Sequence, residues 1–122
     1  MDKKDKEQLW FEEFEREKKK ILDIGVFRNG SITKRWQTCG NPNCKCKTDK
    51  EYYHGPYYWW TTKEKGKTKA ILVPQEMLDD AYEYIEQSRQ LKNKINILSR
   101  LSDKIIRNRI KTFRENYKKT KK

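Results

Sequence analysis

The segment Cys39-Gly40-Asn41-Pro42-Asn43-Cys44-Lys45-Cys46, followed by His54, places all three cysteines and the sole histidine of a 122-residue chain within sixteen residues. The spacing is C-x4-C-x-C-x7-H. Three thiols and one imidazole are the four soft-to-borderline ligands that fill a tetrahedral zinc site. Gly40, Asn41, Pro42 and Asn43 are turn residues that let the backbone curl, so that Cys39 and Cys44 reach one ion. Cys44 and Cys46 are two apart, and in an extended segment their side chains point the same way. A disulfide framework would leave one thiol over, so metal ligation is the better reading. The expectation is one structural zinc per chain, held by Cys39, Cys44, Cys46 and His54. A catalytic zinc keeps a position open for water. Here protein side chains fill all four, there is no second histidine, and no Gly-rich phosphate loop occurs. The chain reads as a non-enzyme.

The staple matters because the core is small. Hydrophobic residues make up 34% of the chain and charged residues 39%, and a core of that size needs a metal, a disulfide or a partner subunit. No stretch reaches the eighteen apolar residues of a membrane span. Met1 to Gln8 is almost entirely charged and carries no secretory signal. The expected location is cytoplasmic, where thiols stay reduced.

Three segments follow from the patterning. Residues 1–23 read as an N-terminal helix over 5–22, with Leu9, Trp10, Phe14, Ile21 and Leu22 at helical spacing. Residues 24–74 read as a zinc-binding β domain. Its strands are 31–38, 56–63 and 67–73, its ligand loop is 39–55, and a hairpin turns at Gly66. Residues 75–122 read as one long basic helix, with Leu78, Ala81, Ile85, Leu91, Ile95, Leu98, Ile105, Ile110 and Phe113 in a three-to-four rhythm and a fraying end at Lys118–Lys122. The fold class is therefore α+β: a three-stranded antiparallel sheet with a Cys3His zinc loop, an N-terminal helix and a long C-terminal helix. Such a helix cannot bury its stripe on so small a domain. It must fold back, pack on the N-terminal helix or pair with another chain. A homodimer through the C-terminal helix, in the manner of a coiled coil, is the expectation.

Tyr52 to Trp60 holds six aromatics. Strand alternation sends Tyr57 and Trp59 one way and Tyr58 and Trp60 the other. One set joins the core with Trp36, Ile71 and Val73. The other is either an exposed stacking platform or is covered by the N-terminal helix.

The formal net charge is +12. Residues 24–74 carry ten basic and three acidic side chains, and residues 89–122 carry thirteen basic and two acidic. Concentrated positive charge suits a polyanion. On the C-terminal helix Arg100, Lys104, Arg107, Lys111, Arg114 and Lys118 are spaced 4, 3, 4, 3, 4, which makes one cationic stripe about 27 Å long. Such a stripe can track phosphates or enter a major groove. The expected partner is nucleic acid, duplex DNA ahead of RNA, with Lys34, Arg35, Lys45, Lys47, Lys67 and Lys69 as secondary contacts. The alternative is a zinc-stapled adaptor whose long helix docks on a larger protein or ribonucleoprotein complex.

Gly30-Ser31, Cys39-Gly40-x-Pro42-x-Cys44-x-Cys46, His54-Gly55-Pro56-Tyr57-Tyr58, Gly66-Lys67-Thr68 and Val73-Pro74 together resemble a family of small uncharacterised bacterial and archaeal proteins, a domain of unknown function. The resemblance runs from about residue 28 to residue 90. It implies the same four ligands and, through a frequent placement near mobile elements, DNA-related work. It implies no particular activity.

Overall fold

The structure, a computed structural model, describes residues 5–120. The first four residues of the charged N-terminal run, and Lys121 and Lys122 of the expected fraying end, lie outside the described residues. The elements are α1 (Lys6–Lys20), β1 (Ser31–Gln37), β2 (His54–Glu64), β3 (Lys67–Val73) and α2 (Leu78–Thr120). At 43 residues α2 is about 64 Å long. Two compact units share it: residues 26–88, and residues 1–25 with 89–122.

In the first unit the three strands pair in the order β1-β2-β3, antiparallel throughout. Two devices set the register. Lys65 and Gly66 both take positive φ (51° and 77°), the two-residue turn whose twist matches a hairpin, and Glu64 pairs Lys67 directly across it. At the other edge Gly30, at φ 115°, brings the chain so close to β2 that an added Cβ would sit 2.3 Å from the Thr61 carbonyl oxygen. Only glycine fits there.

Direct pairing puts Ile32, Trp60 and Ile71 on one face, with Tyr58 and Val73 beside them. The first three turns of α2 cover that face. Trp60, Val73, Ala81 and Ile85 form the buried cluster, with Ile32, Tyr58 and Tyr84 packed around it. The Trp60 and Tyr84 rings stack at 6.4 Å, and the Trp60 indole N–H donates to the Asn29 carbonyl at 2.8 Å. Arg28 completes the wall, its guanidinium 4.8 Å from the Trp60 ring and donating to Thr62 Oγ1 at 3.3 Å. The ring's negative face favours a partly buried cation at this position.

Trp36, expected in the core, is instead 53% exposed. The ladder explains it. Arg35 pairs Tyr57 and Gln37 pairs His54, so one residue of β1 faces two of β2, Gly55 and Pro56. That bulge takes Trp36 out of regular pairing. A 3₁₀ turn, Gln75–Met77, precedes α2, closed by Met77 N–H donating to the Pro74 carbonyl at 2.9 Å.

In the second unit α1 opens on Asp5, whose carboxylate accepts the Gln8 N–H at 2.8 Å. Its contacts run to α2. Lys94 pairs Glu17 at 3.0 Å, Arg109 pairs Glu7 at 3.4 Å, and the Lys104 ammonium lies 6.0 Å from the Trp10 ring. Leu101 and Ile105, one turn apart, are the buried positions of α2 here. Of the three ways to cover the long stripe, packing on the N-terminal helix accounts for this part of it. Ile106, Ile110, Phe113 and Tyr117 remain 46–70% exposed.

Glu17 links the two helices, and its carboxyl is held below its ordinary value first by the hydrogen bond from Lys20 and then by that from Lys94. A depressed carboxylate stabilises fully above its ordinary pKa and loses that contribution as pH falls through the lowered value. The thermal midpoint is therefore expected to fall on acidification below about pH 4.5. Glu17→Gln should lower the midpoint at neutral pH and flatten that part of the pH profile, as melts followed by circular dichroism would read.

Candidate metal centre

The strand ends carry the site. β1 stops at Gln37, two residues before Cys39, and His54 is the first residue of β2, paired with Gln37. Between them the chain makes tight turns. Asn43 N–H donates to Asn41 Oδ1 at 3.0 Å and Cys44 N–H to the Asn41 carbonyl at 3.2 Å, which is the Asx geometry expected of this sequence. Lys45–Lys47 is a 3₁₀ turn and not the extended segment anticipated, because Lys47 N–H closes on the Cys44 carbonyl at 3.1 Å. The turn still brings both thiols inward. The Lys47 ammonium donates to the Cys39 carbonyl and ties the two ends of the turn together. A second 3₁₀ turn, Lys50–Tyr52, begins on Asp49, whose side chain accepts from Glu51 N–H, and delivers the chain to His54. Gly55, at φ 144°, lets β2 begin against β1. A Cβ there would lie 2.8 Å from the Arg35 carbonyl.

The result is a closed group. The three Sγ atoms and a ring nitrogen of His54 all lie within 4.8 Å of one another. Cys39 Sγ is 3.7 Å from Cys46 Sγ, and Cys44 Sγ is 3.2 Å from His54 Nε2. Tetrahedral bonds of about 2.3 Å to sulfur and 2.0–2.1 Å to nitrogen require spacings of about 3.8 and 3.6 Å. The donor set therefore fits one metal ion. Cys46 is 1% exposed and the other three are partly buried.

Electrostatics point the same way. Cys44 is pulled down to about 6, first by the hydrogen bond from the Cys46 backbone and then by His54, Cys46 and Cys39. At Cys46 the Cys39 backbone N–H, 3.4 Å from its sulfur, lowers the pKa, but burial and the neighbouring Cys44 and Cys39 thiols together raise it above the ordinary value. One thiolate forms readily and its charge resists the next. A dication at the centre would remove that conflict.

The expected cationic residues fall in two places. In the first unit Lys34 lies 5.2 Å from the Trp36 ring and Lys45 5.5 Å from the Tyr52 ring, while Lys69 is paired with Glu64 at 2.8 Å. Arg35 and Lys67 are exposed. On α2, Arg100, Lys104, Arg107, Lys111, Arg114 and Lys118 are all exposed. Arg107 is held by Asp103 at 2.9 Å, one turn back. Arg107, Lys111, Arg114 and Lys118 line a shallow groove with Ile110 and Glu115. Sequence reasoning missed Arg28, Lys94 and Arg109 as structural cations, since nothing in their spacing distinguishes them from solvated neighbours. Among the described residues no helix is long and apolar enough to cross a membrane.

A three-stranded antiparallel sheet with an N-terminal helix, a long C-terminal helix and a Cys3His group at the strand ends defines a small α+β protein built around a loop that could hold a metal ion. The chain belongs to the family described as Domain of unknown function (DUF6788), matched over residues 7–83. No curated protein and no solved structure matches it. All four ligands lie inside the matched residues, and the cationic stripe of α2 lies beyond them.

Metal binding here is expected to be folding energy. Cys44→Ser should give a chain that no longer retains metal and that loses sheet signal in circular dichroism. Elemental analysis of the parent should find one metal ion per chain.

Proposed function

We propose that this is a non-enzymatic nucleic-acid-binding protein whose β unit is stapled by one structural zinc ion and whose C-terminal helix contacts the phosphate backbone, duplex DNA ahead of RNA. Zinc is favoured by the ligand chemistry: three thiolates and an imidazole within 4.8 Å of one another suit it best among common divalent ions. The single observation that carries the rest is the stripe Arg100–Lys104–Arg107–Lys111–Arg114–Lys118, exposed along its whole length on one side of α2. Solvated helix faces usually mix signs. Here only Asp103, which pairs Arg107, and Glu115 interrupt a segment holding thirteen basic side chains.

The distal part of α2 has three faces. Leu101 and Ile105 are buried, the cations form a second face, and Ile106, Ile110, Phe113 and Tyr117 form a third at spacings of 4, 3 and 4. The third face supports a homodimer through α2. Two copies would then present two stripes, as basic regions do when they fork from a dimer. The same apolar face favours the second reading, in which it docks on another protein and the chain is an adaptor.

The charge-reversed pair Arg107→Glu with Lys111→Glu should weaken binding to every duplex tested and flatten the log-affinity against log-salt slope by about one unit per lost phosphate contact. Metal content and fold should stay as in the parent. Unchanged affinity at physiological salt would remove the stripe from the interface and put the adaptor reading first. Sedimentation should show a dimer for the parent and a monomer for Ile110→Glu with Phe113→Glu; a monomeric parent argues against self-pairing.

A further inference from the structure

Beside the metal loop lie two aromatic rings that the core does not use. Trp36 is 53% exposed and Tyr52 49% exposed. Scattered exposed aromatics are ordinary, but these two share two further properties, and Trp36 has a third. Each has a lysine ammonium within stacking range, Lys34 at 5.2 Å and Lys45 at 5.5 Å. Each belongs to the backbone that builds the Cys3His group, Trp36 three residues before Cys39 and Tyr52 two residues before His54. Trp36 also packs against backbone: its ring approaches Gly55 so closely that a Cβ there would lie 3.0 Å from Trp36 Cδ1.

We propose that this end of the β unit binds unpaired nucleic-acid strands, with Trp36 and Tyr52 as base-stacking platforms and Lys34 and Lys45 as their phosphate contacts. The occupant follows from charge and shape. Residues 24–74 carry ten basic side chains against three acidic, so an anionic partner is favoured over a neutral or cationic one. A flat ring with an ammonium over it offers a base a stacking partner and its phosphate a cation, and such stacking is indifferent to base identity. A duplex keeps its bases stacked on one another and has none to offer, so this surface selects single strands, loops or ends. The inference goes beyond the helix-and-duplex reading and does not depend on it.

Fluorescence anisotropy with a labelled oligothymidylate, an abasic strand of equal length and a duplex tests it, on the full chain with metal content checked in every variant. Trp36→Ala should weaken oligothymidylate binding about ten-fold and leave abasic-strand and duplex affinities unchanged. Trp36→Tyr should keep most of the affinity, and Tyr52→Ala should show the same base-dependent loss. If Trp36→Ala alters metal content, Tyr52→Ala alone decides. The inference is overturned if the parent binds the abasic strand as tightly as oligothymidylate. It is also overturned if the ring variants leave oligothymidylate binding unchanged, or lose it equally on the abasic strand. The helix reading fails separately, when reversing Arg107 and Lys111 leaves duplex binding intact.

Discussion

Convergence of three thiols and one imidazole on a single point is the constraint on which the β unit depends. Closing the long connection between β1 and β2 costs loop entropy, and the connection is too polar to recover that cost by burial. Of its side chains only Cys46 is buried. A metal ion on Cys39, Cys44, Cys46 and His54 would supply the missing closure. It would also fix the strand register, because His54 is both a candidate ligand and the residue that pairs Gln37. Metal loss should therefore be felt in the sheet and not only in the loop.

The second organising element is α2. Its first turns seal the sheet through Ala81 and Ile85, and farther along Leu101 and Ile105 are buried in the unit that contains α1. One helix thus provides core to two units. Such a division places different demands on successive stretches of a single helix. The early stretch carries acidic residues at Asp79, Asp80, Glu83 and Glu86, and the later one is strongly basic. The first suits a helix N-terminus. The second leaves a cationic face and an exposed apolar face side by side, which is the combination the proposed nucleic-acid and dimer contacts use.

Family membership and the cationic stripe divide the molecule in the same way. The match over residues 7–83 takes in the metal loop and stops before Arg100. The sheet and its Cys3His group therefore lie within the matched residues. The proposed duplex surface is built from residues beyond the match, whereas the proposed single-strand surface at Trp36 and Tyr52 lies inside it.

The sequence by itself pointed to the four candidate metal ligands, because four unusual side chains with turn residues between them leave few other uses. It also determined the three strands, the Gly66 hairpin and the helical character of everything after Pro74, since β-branched and aromatic runs, punctuation and periodicity are local signals. Only the tertiary structure decided where Trp36 goes. Its position in the alternation points to the core, and the bulge opposite Gly55 and Pro56 takes it out, a matter of pairing between strands that no single strand reveals. The same holds for Leu101, Arg28 and Lys94. Their burial or pairing depends on which face of α2, or which ring, lies opposite, and spacing along one helix cannot supply that. Charge could be counted from the chain; which charges are engaged, such as Lys69 with Glu64 or Arg109 with Glu7, depended on packing.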